Sequence, residues 1–483
     1  MSTFFGLNIA RLGMQAQLKA LEVTSHNIAN ANTPGFSRQT AHMVPTMAVS
    51  YAKKGMLGSG VIVDEIKRIR DSFLDRQIRH ELQTLGQWEA RSTYLSQIEQ
   101  VFLEPSESGL NSVISTFFES WQELSLNPES SSARSALIEN ANFLLNSFKH
   151  TYNSLATIRD DITVNIELKV KEINSLAKQI SDLNEQIVRL SARNDYPNDL
   201  MDRRDLLIEQ LAKIINISTV ENANGSISIN IGGRALVHEN TAYEIKTLTG
   251  DTENGWPQAP KIVWAKDEQP LYIGNGELYG LIQVRDQNLR AYMENFESLV
   301  WAIVDSVNAY HQQGSDLHGN AGIPFFDIKG DHILSIVVNQ EIIDNPDKIA
   351  AAAATTPDNP LPGDGSNAVI IAQLRNVRFT VNMAESDPRQ RLKENANGST
   401  TLEFFYRDLI AGIGVNTQEA NRMTENQESM VELLTTRQLS VSGVNLDEEM
   451  ANMVQFQLSY QAAARLVATL DEIYNTLING MLR

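Results

Sequence analysis

The chain has 483 residues, with 40 basic residues against 59 acidic ones for a formal charge of −19, 42% hydrophobic content and no cysteine. That length suits about three domains and this composition excludes a disordered tail, while the charge opposes binding to nucleic acid or anionic lipid. The missing thiols remove disulfides, thiolate nucleophiles and sulfur-ligated metal sites.

Residues 4 to 31 place apolar or small side chains at Phe5, Ile9, Leu12, Ala16, Ala20 and Val23, and the same steps of three and four continue through Asn27 and Asn30. That spacing predicts a helix with a narrow buried face. The opening "MSTFFGLNIARLGMQ" has no basic stretch leading into an apolar one, so no cleavable secretory signal is expected. No later run approaches the ~20 apolar residues of a bilayer helix, so no membrane insertion is expected either. The first helix should end within "TSHNIANANTPGF". Asn32 can take the left-handed conformation at a helix end, Thr33 is pushed out of the helix by the proline after it, and Pro34-Gly35 suits a turn with positive φ at its third position. Phe36 can then anchor the exit. Amides on an apolar seam lower stability and specify register, so Asn27 and Asn30 are expected to fix how this helix pairs; a plain polar cap is the simpler alternative.

"HELQT" at His80 lacks the second histidine of a metalloprotease helix. Ile166, Val170, Ile173, Ala177, Ile180, Leu183, Ile187 and Leu190 outline a long helix. In "NDLMDRRDLLIEQL", Asp199, Asp202 and Asp205 recur at helical spacing beside Arg203 and Arg204. Such carboxylates could hold a cation or act as an acid and base pair. The favoured reading is structural: acids suit a first helical turn and pair with nearby arginines, while Leu206, Leu207 and Leu211 bury the other face. Residues 217 to 249 change period, with Ile227, Ile229 and Ile231 alternating with polar residues and Asn224-Gly225 and Gly232-Gly233 supplying turns.

"GNGELYG" begins like a dinucleotide fingerprint, but Tyr279 stands where the third glycine is needed. Tyr292, Phe296, Leu299, Ile303, Val307 and Tyr310 predict another helix, followed by the polar loop "HQQGSDLHGNAG" carrying His311 and His318. Residues 320 to 400 are rich in turn formers, with short β-prone runs such as "HILSIVV"; "DNPLPGDGSN" lacks the closing glutamate of a calcium loop. Ala420, Met423, Gln427, Met430 and Leu434 outline a helix, and a last one carries Leu446, Met450, Met453, Gln457, Tyr460, Ala464, Val467, Leu470, Tyr474, Leu477 and Met481. Its steps average ~3.5 residues, the mark of a coiled-coil seam.

The expected architecture is α+β and multidomain. Residues 1–45 and 440–483 form paired terminal helices, residues 46–215, 279–319 and 400–439 form a helical rod domain, and residues 216–278 and 320–399 form an outer β-rich region. No phosphate loop or nucleophile elbow is present in the sequence, so no enzyme, cofactor or metal is expected. A seam as narrow as Ile9, Leu12, Ala16 and Val23 buries little surface. Roughly the first and last 40 residues are therefore expected to be mobile in the free chain and to order on assembly.

"SHNIANANTPGFSRQ" and "SGVNLDEEMANMVQFQLSYQAAARLVATLDEIYNTLING" resemble the paired terminal motifs of the bacterial flagellar axial proteins, the family of rod, hook and hook-associated proteins. "YPNDLMDRRDLLIEQLAKIINISTVENANGSISINIGGRALV", "LNPESSSARSALIENANFLLNSF" and "VNAYHQQGSDLHGNAGIPFF" are similar to its hook-associated members. Phe36 stands where many relatives have tyrosine, and His318 where asparagine is common. The resemblance implies a structural protein of the cell exterior, with terminal helices forming an inner tube. It would sit in a ring of identical subunits between the hook protein and a second hook-filament junction protein. Export by the flagellar type III route and a cytoplasmic export chaperone of the FlgN type are implied as well. An exported coiled-coil surface adhesin or scaffold is the alternative.

Overall fold

A computed structural model describes residues 5–50, 55–102, 109–193, 195–248, 252–253, 256–257, 261–330 and 332–481. In chain order its helices are α1 (Phe5–Ala29), α2 (Ser72–Phe102), α3 (Leu110–Leu126), α4 (Ser131–Ser191), α5 (Asn198–Ile214), α6 (Glu277–Gln283) and α7 (Arg290–His311). After them come α8 (Gln340–Asp344), α9 (Ser366–Gln373), α10 (Pro388–Arg391), α11 (Leu402–Ser442) and α12 (Leu446–Met481).

The 61-residue α4 is the spine of the body, about 90 Å long at the usual helical rise. Ser130 caps it by accepting from Ala133 N at 3.3 Å. Its buried residues Leu137, Ala141, Leu144, Phe148, Leu155, Ile162, Ile166, Val170, Ile173, Ile180 and Ile187 follow one face along its length, so α4 is held by packing rather than by propensity. Against it lie α3, α5 and α7, and α2 packs on α5, α6 and α11. The core is aromatic at one end, where Phe117, Trp121, Phe325 and Phe326 meet edge to face or tilted.

The strands are short and antiparallel. Residues 218–221, 227–231, 234–238 and 241–242 form a four-stranded meander, turning at Gly225 (φ 83) and at Gly232 and Gly233 (φ 56 and 85). Gly276 marks the "GNGELYG" turn: φ is 94, and a β-carbon there would lie 2.7 Å from Ile214 O. Residues 320–399 hold less strand than expected. Besides α8, α9 and α10, they carry two ribbons, 326–328 with 336–338 and 379–381 with 392–394, and half of "HILSIVV" is a 3-10 turn over Ile333–Ser335.

His311 also departs from the loop expectation. It is the last residue of α7 and fully buried. Its Nδ1 lies 2.5 Å from Ile323 O, and its Nε2 accepts from Ala350 N at 2.9 Å. Burial lowers its pKa to about 4, so the neutral ring acts as a bridge between two loops. His318 lies on the loop, with Nε2 3.7 Å from Asp347.

Candidate functional site: the terminal helix pair and its joint

The two ends of the chain pair with each other. α1 and α12 run antiparallel: a β-carbon on Gly6 would lie 3.6 Å from Leu470 Cδ1, while Asn27 at the other end of α1 donates to Glu449. The buried face of α1 is built from small residues, Ala10, Ala16, Ala20 and Val23, with Ile9 and Leu12 half-buried beside them. Small side chains let the two backbones approach closely. On α12 the facing positions are Glu449, Met453, Phe456, Tyr460, Ala463, Val467, Leu470 and Tyr474, all buried or half-buried. These alternate steps of four and three without a break.

The seam drawn from the sequence has a different phase at its ends and in its middle, where Phe456 and Ala463 stand on the α1 side in place of the exposed Gln457 and of Ala464. Met453, Tyr460, Val467, Leu470 and Tyr474 do lie on the α1 side, but Leu446, Met450 and Leu477 are 45%, 51% and 51% exposed. The reason is that α12 is apolar in two directions. Besides the seam it carries Leu446, Met450, Val454, Leu458 and Leu466, an i+4 ridge with the small Ala462 filling the gap, all exposed among the described residues. Periodicity alone merged the ridge with the seam.

After α1 the chain turns as a type II turn turns. Phe36 N donates to Thr33 O at 3.2 Å around Pro34-Gly35, and the positive φ falls on Gly35 (77°), not on Asn32. A β-carbon on Gly35 would lie 3.3 Å from Leu206 Cβ, so the turn rests directly on α5. Phe36 meets His26 edge to face at 5.4 Å between centroids.

The two asparagines divide. Asn30 is local: its Nδ2 donates to His26 O at 3.0 Å, and its Oδ1 accepts from Thr33 Oγ1 at 3.2 Å. Asn27 is 1% exposed and joins three segments. Its amide donates to Gln39 O at 2.8 Å and to Glu449 Oε2 at 3.0 Å, and its Oδ1 accepts from Gln39 N at 3.0 Å. Arg38 completes this clamp by donating Nε to Glu449 Oε1 and Nη1 to Glu448 Oε2, each at 2.8 Å. Its backbone N donates to Ser442 O, the last residue of α11.

Below the clamp lies a buried ionic knot, whose acids come from α5 apart from Asp75 of α2. Asp202 accepts from Ser37 N at 2.8 Å, Ser37 Oγ at 2.9 Å and Arg68 Nη1 at 2.8 Å. Asp205 accepts from Arg68 at 2.7 Å and Arg79 at 3.2 Å, and Arg70 bridges Asp75 at 2.8 Å and Glu209 at 3.1 Å. Burial pushes the Asp205 carboxyl up, but the guanidiniums of Arg68, Arg70, Arg204 and Arg79 outweigh it and hold it below the usual carboxylate range. Burial pulls Arg70 down, and Asp205, Asp75 and Glu209 more than restore it. Arg204, lowered by burial to about 10, donates to Asn184 Oδ1 and Gly225 O, tying α5 to α4 and the meander. Asp202 and Asp205 of "NDLMDRRD" thus pair with arginines far away in the chain rather than with Arg203 beside them. Asp199 stands at the rim, between His26 Nε2 at 3.2 Å and Gln39 Nε2 at 2.7 Å. Every acid of the knot has a basic or amide partner, an arrangement suited to fixing one body against another.

Comparisons with known proteins match these same parts. A model described as "Flagellar hook-associated protein FlgK helical domain" matches residues 95–326. "Flagella basal body rod protein" matches residues 7–36, α1 and its turn, and "Flagellar basal body rod FlgEFG protein C-terminal" matches residues 436–480. Flagellar hook-associated protein 1 of Bacillus subtilis is 33% identical, the alignment covering 99% of each chain. That of Salmonella typhimurium is 28% identical, with 98% of this chain and 99% of the relative covered. A solved structure of the flagellar hook junction protein FlgK from Burkholderia pseudomallei superposes with a TM-score of 0.64 at 18% identity, covering 76% of this chain and 100% of that one.

Proposed function

The chain belongs to the flagellar hook-associated protein 1 family, and from that membership we propose that it is a structural component of the bacterial flagellum, built in at the junction between hook and filament. The observation that carries this reading is the geometry of the two ends. They form one antiparallel pair, clamped together at Asn27, Arg38 and Glu449 and tied to α5 through Ser37 and Asp202, with apolar side chains of α12 left exposed among the described residues. An exposed apolar strip of this length on an otherwise acidic chain suits packing against neighbouring subunits.

In this reading the partners are further copies of the chain in a ring, the hook protein on one side and a second junction protein on the other, with an export chaperone of the FlgN type before secretion. The role is mechanical, not catalytic. Residues 1–45 with 440–483 act as the inner pair, residues 46–215, 279–319 and 400–439 as the rod, and residues 216–278 and 320–399 as the outer region. The clamp also narrows the segment that orders on assembly. Residues 27–39 and 442–449 are tied to the body, so ordering is confined to the parts of α1 and α12 beyond them.

Two leucines separate pairing within the chain from packing between chains. Leu470→Glu places a charge against Gly6 on the α1 seam, and is expected to remove about 2 kcal/mol or more from the terminal pair once it has ordered and to raise protease cleavage within α1 of the chain built into flagella. Leu477→Glu changes a half-exposed side chain, and is expected to leave the proteolysis pattern of the free chain unchanged while abolishing motility and filament retention. Wild-type motility in the Leu477→Glu strain would sink the proposed role of the α12 surface.

A further inference from the structure

Beside the ionic knot lies a cleft of about 500 Å³, walled by the strand Val61–Arg68, α2, the first turns of α5 and the strand Ser218–Glu221. Its lining is charged. Lys67, Arg68, Arg70, Arg76 and Arg79 supply five positive groups, and Glu65, Asp75, Asp205 and Glu221 supply four negative ones. The cleft therefore keeps one positive charge in a chain whose net charge is −19.

Most of these groups are already engaged with each other. Asp205 accepts from Arg68 and Arg79, Asp75 from Arg70, and Glu65 from Lys67 at 3.2 Å. Donors are left over on α2. Arg79 is 9% exposed, and its Nη1 donates to Thr219 Oγ1 at 3.3 Å and its Nη2 to Asp205, but its Nε is buried with no partner among the described residues. Arg76 stands three residues earlier on the same face of α2. It is exposed, and its side chain makes no hydrogen bond or ion pair among the described residues. A buried donor without an acceptor is costly and rare in a native fold. Like charges crowd the same place: burial pulls Arg204 down to about 10, and Arg68 and Arg79 push it the same way against Asp205.

An acceptor with two oxygens and one negative charge answers both features. Guanidiniums present N–H groups in a fork that matches a planar carboxylate, and a single excess positive charge suits a monoanion better than a phosphate dianion. We propose that this cleft is a binding site for a carboxylate, held between Arg76 and the Nε of Arg79. Two sources carry that group. One is an acidic side chain of a neighbouring copy, since the chain has 59 acidic residues to offer; the other is a small free acid.

The free chain, carrying isotope-labelled arginine, is titrated with sodium acetate and followed by NMR, against sodium chloride at the same ionic strength. The Arg79 Nε–H signal, assigned by its loss in Arg79→Lys, is expected to shift saturably with acetate and not with chloride. Arg76→Gln is expected to weaken acetate binding at least fivefold and to leave the thermal melt unchanged, because the side chain it replaces is exposed. No saturable shift, an equal shift in chloride that marks an adventitious ion only, or unaltered binding in Arg76→Gln would overturn the site. The source is then read from flagella. Incorporation of an Arg76→Glu chain at least tenfold below wild type assigns the carboxylate to a neighbouring copy, and normal incorporation assigns it to a free acid. Only this second step rests on the junction reading; absence of the wild-type chain from flagella would overturn that reading and leave the acetate result standing.

Discussion

Replacing Asp202 with alanine is expected to cost about 3–5 kcal/mol and to release the terminal helices from the body. The magnitude follows from what the substitution leaves behind. Asp202 is 4% exposed and accepts from Ser37 N, Ser37 Oγ and Arg68. Alanine would leave a buried guanidinium short of one of its two carboxylates and two donors without an acceptor, the situation in which a broken buried pair is most costly. The consequence is directional, because Ser37 lies between the Pro34-Gly35 turn and the clamp residues Arg38 and Gln39. Urea unfolding should show the loss of stability, and limited proteolysis should show new cleavage near residues 30 to 45. Asp199→Ala is the internal control. Asp199 sits at the rim with an exposed side chain, where pairs contribute about 1 kcal/mol or less. Equal effects from the two substitutions would mean that the knot does not hold the joint.

Asn27→Leu and Asn30→Leu are expected to part company by a wide margin. At position 27 leucine removes three hydrogen bonds and strands the backbone of Gln39 and one oxygen of Glu449 in a buried place, at about 1–3 kcal/mol for each unsatisfied group. Beyond stability, it removes the contact that ties α1 to the first turn of α12. Filament assembly should therefore fail even where the body still folds. At position 30 leucine removes a cap and a bond to Thr33, expected to cost about 1 kcal/mol and to leave motility intact. Circular dichroism melts and swarm diameters of the two strains check both parts, and loss of motility in Asn30→Leu with retention in Asn27→Leu would reverse the assignment.

The long helices were legible because their apolar residues recur over many turns: α4 and α7 follow the spacing read from Ile166 to Leu190 and from Tyr292 to Tyr310. The Pro34-Gly35 turn was legible for a local reason, since a proline and a glycine restrict φ in known ways. The phase of the last helix was not. α12 presents apolar residues in two directions, and only the position of α1 decides that Phe456 and Ala463 face inward while Met450 faces out. The ionic knot was half legible. The spacing of Asp202 and Asp205 placed them on one side of a helix, but their partners Arg68, Arg70 and Arg79 arrive from the strand Val61–Arg68, the link after it and α2, more than a hundred residues away, and no local pattern links them. "RIR" at residues 68 to 70 is the signal that was available, two basic side chains at the end of a strand. His311 was misplaced because a histidine before a glycine-rich run looks solvent-facing; its partners at Ile323 and Ala350 come from loops whose course the sequence does not set out.

The most direct measurement is made on hooks. Hooks purified from cells lacking this chain are incubated with flagellin and the remaining junction components, with and without the purified chain, and imaged by electron microscopy. Filaments growing from hook tips only when the chain is supplied is the predicted result. Filaments of normal length on hooks that never received it would contradict the junction role.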